Sequence, residues 1–387
     1  MKRVKAYIRG AYGPGNLGDD VLMVATLGVI KSRFSSSEIA IGVDHPIQAS
    51  AFDPEVQWLP LKSPFSAELV VLGGGGQFFS FAGRAALNST SLLCRLGQSV
   101  RAQSSILAGL MRLIMKARGA VDGLYFADNI GTFCIGLGPF QVDGKGKSRA
   151  ERFLALASYV SVRDQTSADH CKELSGVRAE VFSDPSLLPE LWYGSCPAPL
   201  KLADVEGGYH SFVLRDWPLD DAGAAAIGAM VTAARDLRNQ GRKVRMVSLY
   251  RERDAHLIAE HADFEWLIWE PSTMTIREFM DRFCNESCVI VSARAHGVWL
   301  PAALGVPSIA IRIENKLEEV HNMLPNGTLL VRQPGPRAIC DCIDEFHVGR
   351  LALEEGVAAD VGENSEKVKR GVASLLAWVD STGVRSR

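Results

Sequence analysis

Two arginines and a histidine stand where apolar strands would hand over to helices. In SVRD, Arg163 follows a short β-branched run, and in SARAHG, Arg294 and His296 are separated by one residue. A guanidinium grips carboxylate or phosphate with two prongs. An imidazole gives or takes a proton near neutral pH. Arg215, after the strand-like HSFVL, and Lys316, at the end of GVPSIAIRIENK, add two weaker cationic candidates. The run ELVVLGGGGQFF drives a buried strand into four glycines, 73–76. Glycine costs backbone entropy, so such a run favours close approach of a ligand to the backbone, with Gly74, Gly75 and Gly76 as contacts. Several cations, one histidine and no metal motif suit a small polyanionic donor. The plainer alternative is that Arg163 pairs with Asp164 or Asp184, and that Arg294 and His296 cap a helix or pair with carboxylates.

These groups need a scaffold that delivers them to one edge. Cys288–Lys316 reads strand, loop, apolar helix VWLPAAL, Gly305 turn, strand SIAIRI and loop. In an open α/β sheet, ligands bind outside the carboxyl ends of the strands, which is where Arg294 and His296 fall. The chain opens with strand AYI, a loop with glycines at 13, 15 and 18, and a helix expected from Asp19 or Asp20. The spacing is neither GxGxxG nor a Walker loop. Asn16 and Asp19 are candidate substrate contacts here, although the Asp19–Asp20 pair opposes an anion on the helix N-terminus. EIAIGV, GTFCIGLGPF and AEVF read as further strands, with a helix over roughly 147–157 and one after Asp164 or Thr166 as its cap. The pattern fades between Pro185 and about Tyr209, the expected linker. Strands then alternate with helices from HSFVLRDW onward, which demands a parallel sheet with right-handed crossovers. The expected fold is α/β, with two Rossmann-like doubly wound halves facing each other across a cleft. Its domains are 1–190 (the acceptor side, with the glycine run), 205–350 (with the Arg-Ala-His loop) and a helical segment 351–387 packing back across them. The last helix is expected at about 363–380.

Composition bounds the function. The 387 residues suffice for two ordinary domains. Hydrophobic residues at 47% and charged residues at 22% fit a globular enzyme, and a net charge of −2 offers no bulk attraction for nucleic acid. No apolar run reaches the roughly 18 residues of a spanning helix. The 8 cysteines are scattered, without CxxC or HxxxH partners, which argues for free thiols in a reducing compartment and against a metal centre. RAQSSILAGLMRLIMKARGA reads as a basic, apolar helix. It leaves open burial within its domain, contact with a membrane surface and contact with a second subunit. GxSxG and DxD signatures are missing, so a serine nucleophile elbow and a metal–nucleotide site are not expected.

Taken together, YGPGNLGDDVL (12–22), ELVVLGGGGQFF (68–79), IGLGPF (135–140), SVRDQTSADHCKELSG (161–176), VFSDPSLL (181–188), SARAHG (292–297) and GVPSIAIRIENK (305–316) resemble the polysaccharide pyruvyl transferase family. The resemblance implies a glycosyltransferase-B-like fold, phosphoenolpyruvate as donor substrate with no cofactor or metal, and a pyruvate ketal on a sugar of a cell-surface polymer or its lipid-linked precursor. Arg294 and His296 match the family's arginine–X–histidine pair and Arg163 its upstream arginine, which makes these three the implied catalytic set. Glu68 stands where the family usually has an aspartate, one carbon shorter, and Ala295 where a larger apolar residue is common. A cytoplasmic enzyme at the inner face of the membrane, in peripheral contact with it and assembled as a homo-oligomer, is the matching expectation. Two other readings stay open. One is a nucleotide-sugar-dependent glycosyltransferase, for which Glu314 is the nearest ribose-binding acid. The other is a non-catalytic component of a polysaccharide assembly complex.

Overall fold

Alternating and continuous apolar runs form the strands that their periods ask for. In the first of two units these are β1 (Arg3–Arg9), β2 (Ile39–Val43), β3 (Gln57–Pro60), β4 (Ser66–Leu72), β5 (Gly75–Ser80), β6 (Ala127–Thr132), β7 (Ile135–Phe140), β8 (Ser161–Val162) and β9 (Glu180–Val181). In the second they are β10 (Tyr209–Val213), β11 (Val244–Ser248), β12 (Glu265–Ile268), β13 (Ser287–Ser292), β14 (Ser308–Ile311) and β15 (Thr328–Val331). The computed structural model describes residues 3–61, 63, 65–80, 127–140, 144–194, 199–217 and 220–386. The basic helix expected over 101–118 lies outside the described residues, as do Cys94 and Cys196. The first unit comprises Met1–Pro14, Leu22–Pro185 and Lys367–Arg387; the second comprises Gly15–Val21 and Ser186–Glu366.

The first unit holds two parallel sheets, β3-β2-β1-β4-β6 and β5-β7-β8-β9. Two expected strands are each split between them. β4 ends at Leu72, the Gly73 amide donates to the Arg9 carbonyl at 2.9 Å, and β5 begins at Gly75 in the other sheet. GTFCIGLGPF breaks at Phe133–Cys134 into β6 and β7, where Cys134 takes a left-handed φ of 49°. Apolarity reports burial, not the dihedral at which a buried chain changes sheet. The core beneath includes Val70, Leu72, Ile135, Leu137, Phe153, Leu154 and Val162, all buried.

The second unit is one six-stranded parallel sheet, ordered β12-β11-β10-β13-β14-β15. In its own count this is 3-2-1-4-5-6, the doubly wound order whose reversal lies between the first and fourth strands. Two of its helices carry local start signals. Thr275 and Glu278 form a capping box ahead of Ile276–Asn285, which buries Ile276, Phe279, Met280, Phe283 and Cys284 at one-turn spacing. Asp220 accepts from the Gly223 amide at 2.7 Å to start Asp221–Asn239. Strands β3 and β15 and the helix Asn315–Met323 have no counterpart in the sequence reading.

The last helix runs Pro336–Ser381, far longer than the expected 363–380. Glycines at 349, 356 and 362 argue against it by propensity. At Gly356 the reason is contact: a Cβ there would lie 2.2 Å from the Asn326 carbonyl oxygen. Asp360, one turn on, accepts from the Asn326 and Gly327 amides at 2.8 and 3.0 Å. Tertiary packing thus holds a helix that local propensity would break.

Candidate active site

The reversal of strand order in the second unit lies between β10 and β13, and the residues just past their ends are Arg215 and Arg294. Each residue of SARAHG has a local reason. Ser292 Oγ donates to the Arg294 carbonyl at 2.8 Å and accepts from the Arg294 amide at 3.1 Å, which fixes the loop. A Cβ on Gly297 would lie 2.2 Å from Ser292 Oγ and 3.1 Å from a Val213 methyl, so only glycine lets the helix start this close to the sheet. That helix is His296–Ala303, beginning two residues earlier than VWLPAAL suggests, so His296 is its first residue.

Arg294 Nε donates to the Leu214 carbonyl at 3.1 Å, and Nη2 donates to Asp254 Oδ1 at 2.6 Å. Asp254 is fully buried and also accepts from Ser248 Oγ at 2.8 Å and the Asp216 amide at 3.1 Å. Burial pushes Arg294 below arginine's usual value; Asp254 and Asp19 oppose this, and the neighbouring Arg215 adds to it. The Nη1 donors of Arg294 have no acceptor among the described residues. Arg215 pairs with Glu314 and lies over the Trp217 ring at 4.6 Å. Lys316 lies over Trp299 at 5.8 Å, and His296 packs edge-on against the same tryptophan.

The segment Gly15–Val21 belongs to this site. The Leu17 amide donates to the Leu249 carbonyl at 2.9 Å, and Asn16 bridges to Tyr250. Gly18 faces His296: a Cβ there would stand 2.0 Å from Nδ1. Asn16 Nδ2 donates to Asp19, whose charge reaches Arg294. Asp20 is buried, accepts from the Trp269 indole at 2.7 Å and the Gly15 amide at 2.9 Å, and is pushed up to about 8, chiefly by burial. The helix starts at Leu17, two residues before the expected Asp19. Asn16, Asp19, Arg215, Arg294 and His296 thus gather at one edge.

In the first unit, Arg163 follows β8 as expected, and Asp164 rather than Thr166 caps the next helix, accepting from the Ser167 amide at 2.6 Å. Arg163 is buried between Asp184 at 3.0 Å and Asp164 at 3.2 Å. Burial works against its charge, but the two carboxylates outweigh burial and hold it above its usual value. The pairing with acids that the sequence offered as the plainer alternative is therefore present. The Arg163 guanidinium covers Gly136, where a Cβ would lie 2.8 Å from Nη2, and Gly136 sits opposite Gly76 in the β5–β7 register. Gly136 thus stands between Arg163 and the glycine run.

The run itself divides. Gly73 is explained by Tyr12 and Thr26, whose hydroxyls lie 2.0 and 2.4 Å from a built Cβ, and Gly74 by Leu22 at 2.9 Å. Packing therefore explains the glycine at both positions. Gly75 needs its φ of +99°, and Gly76 faces open space. Glu68 is not brought to the glycines. It stands in the amino half of β4, paired with Lys5 at 3.1 Å and Arg3 at 3.8 Å on the neighbouring strand. The carboxyl end of a parallel strand is the ligand end, and Glu68 is on the wrong side of its strand's midpoint for that.

Sequence reasoning missed Asp254 and Asp20. RERDAHLIAEH reads as a charged helix over about 251–262, yet Asp254, Leu257 and His261 recur at helical spacing and are its buried face. That period was the available signal.

The fold is similar to those of a putative UDP-N-acetylglucosamine 2-epimerase from Listeria monocytogenes (11% identity, 100% of this chain and 99% of that one, TM-score 0.55) and UDP-GlcNAc 2-epimerase from Neisseria meningitidis (10%, 97% and 100%, TM-score 0.53). It also resembles a UDP-GlcNAc 2-epimerase from Methanocaldococcus jannaschii (9%, 97% and 100%, TM-score 0.53). At these identities the likeness speaks for the fold alone, the glycosyltransferase-B-like α/β class expected from the sequence. No curated protein matches the chain in sequence. Among the described residues no helix is long and apolar enough to cross a membrane. The family model described as polysaccharide pyruvyl transferase matches residues 16–315, which spans both the GNLGDD segment and the Arg-Ala-His loop, and the chain belongs to this family of transferases.

Proposed function

We propose that the chain moves the enolpyruvyl group of phosphoenolpyruvate onto a sugar of a cell-surface polysaccharide or its lipid-linked precursor, leaving a pyruvate ketal. The observation that carries this reading is the pairing of Arg294 and His296 at the strand-order reversal. Arg294 is a half-buried cation with donors to spare, and His296, two residues on, opens the next helix. Arg294 holds the donor's carboxylate or phosphate, with Arg215 adding positive charge. His296 gives a proton to the methylene carbon, which becomes the methyl group. The cationic centre at the adjacent carbon takes the oxygen of one sugar hydroxyl, and the carbon–oxygen bond to phosphate breaks. A second hydroxyl closes the ketal, and the two hydroxyl protons return to His296 and to phosphate or solvent. Fixed geometry and charge supply most of the acceleration. Lys316, Asn16 and Asp19 border this centre. A part for Gly74, Gly75 and Gly76 rests on the close approach that glycine allows, and for Arg163 on its strand-end position and the family resemblance; for Glu68 only the resemblance speaks, and its ion pairs with Lys5 and Arg3 speak against it.

The test is phosphate release from phosphoenolpyruvate that depends on an added sugar acceptor. Thermal stabilisation by phosphoenolpyruvate and not by uridine diphosphate separates this reading from a nucleotide-sugar enzyme. The engagement of Glu314 with Arg215 already weighs against that enzyme, because the acid is not free for a ribose. If His296→Ala turns over within a few-fold of the parent, His296 is not the acid.

A further inference from the structure

We propose that His210, Cys288 and His347 form a binding site for a zinc-class divalent cation, at the sheet edge opposite the Arg294–His296 centre. His210 is the second residue of β10, Cys288 the second of β13, and His347 lies in the helix Pro336–Ser381. All three fall in the second unit. Their ligand atoms lie within 4.8 Å of one another. The Cys288 sulfur is 3.4 Å from His210 Nδ1 and 4.0 Å from Nε2. A tetrahedral zinc with bonds of about 2.3 Å to sulfur and about 2.0 Å to nitrogen needs roughly 3.6 Å between such atoms, and the separation to Nε2 needs only a small shift to reach it. Any wider gap in the cluster involves His347, the least buried of the three, whose ring can turn to close it.

Three further features fit a metal. His210 Nδ1 lies 3.3 Å from the Lys243 carbonyl, the backbone partner that ligating histidines use to fix their tautomer and free Nε2. Both ring nitrogens of His347 are buried and have no hydrogen-bond partner among the described residues, a state that ligation of one would relieve. One thiolate and two imidazoles are donors of the softness that zinc takes and magnesium or calcium refuses. On binding, the Cys288 S–H bond breaks, its proton goes to solvent, and the sulfur–metal bond forms with no change of oxidation state. Water completes the fourth position. The nearby charges are mixed, with Asp344 one turn before His347 and the cations Arg242 and Arg350, so the thiolate must supply most of the attraction. The site ties the long helix to the two central strands. It rests on none of the residues assigned to the transferase reaction.

The experiment is metal analysis of the full chain equilibrated with zinc and then desalted, followed by cobalt substitution. Roughly one zinc per chain is expected, with a thiolate-to-cobalt charge-transfer band. Cys288→Ser removes the band, Cys342→Ser keeps it, and His347→Ala binds zinc at least tenfold more weakly. Zinc raises the Tm of the parent but not of His347→Ala, and the position of that variant, the least buried of the three, keeps the test usable if Cys288→Ser fails to fold. Substoichiometric zinc with no cobalt band, or a band that survives in Cys288→Ser, overturns the site and leaves the cluster as core packing.

Discussion

Arg163 and Arg294 reach their positions by the same route and end in opposite electrostatic states. Each follows a buried parallel strand and is bonded to a fully buried carboxylate, Asp184 for the buried Arg163 and Asp254 for the half-buried Arg294. Arg163 has a second carboxylate, Asp164, and its charge is held more firmly than in water. Arg294 has a backbone carbonyl as its other partner and a second arginine beside it, and its charge is held less firmly. A guanidinium whose burial is not fully offset gains from an incoming anion, whereas one already satisfied by two acids gains little. If the proposed function holds, this difference assigns the anion clamp to Arg294 and the support over Gly136 to Arg163.

The sharpest way to break that comparison is to exchange each arginine for lysine, which keeps the charge and loses the two-pronged fork. Arg294→Lys should lower kcat/KM on the order of a hundredfold to a thousandfold, the loss of a positioned donor to the reacting group. Arg163→Lys should stay within a few-fold of the parent. Equal losses in the two variants, with both stably folded, would falsify the division of roles. The complementary measurement is stability. Arg163→Ala strands Asp184 in the interior and should cost about 3–5 kcal/mol in denaturant unfolding; a loss below 1 kcal/mol, by the same argument, means the pair carries little.

The next effect tests His296 as the group Arg294 serves. His296→Gln should reduce kcat about a hundredfold or more while KM moves little, the signature of a lost proton donor. A rise in KM with unchanged kcat reassigns it to binding. A smaller effect follows at Gly18. Gly18→Ala puts a methyl where the imidazole now lies and should cost roughly tenfold in kcat by misplacing the ring. Gly228→Ala, which meets nothing and lies outside the site, is its control; if the two alanines cost the same, contact with His296 is not the reason for Gly18.

The smallest effect is a pH dependence of stability at Asp20. Burial pushes its carboxyl up to about 8, so between about pH 4 and that value the folded chain keeps a proton that the unfolded chain has lost. Stability should therefore fall as pH rises through that window. Asp20→Asn, which can still accept from Trp269 and Gly15, should gain on the parent as pH goes from about 5 to about 8, by an amount on the order of 1 kcal/mol or more. A stability difference independent of pH sinks the assignment.

The local rules were legible. Asp164 as a cap, the alternation of strand and helix from Tyr209 onward and the delivery of Arg163 and Arg294 to strand ends all follow from residue type and spacing. Where one rule opposed another, the sequence misled. Helix-breaking glycines concealed most of Pro336–Ser381, and continuous apolarity concealed the sheet changes at Gly73–Gly74 and Cys134. Glu68 was drawn to the glycines by its place in a motif, while its side chain turned to Lys5 on the next strand.

By itself the sequence determined the family, the parallel α/β class and which residues arrive at the carboxyl ends of strands, because each depends on residue types over a few positions or on strand direction. Only the tertiary structure decided what meets what. It set Gly18 against His296, gave Asp254 to Arg294 and both Asp164 and Asp184 to Arg163, and brought His210, Cys288 and His347 together at the far edge of the sheet. The physical reason is that a buried charge or ring takes its energy from its neighbours, and neighbours separated by tens to hundreds of residues leave no period in the chain.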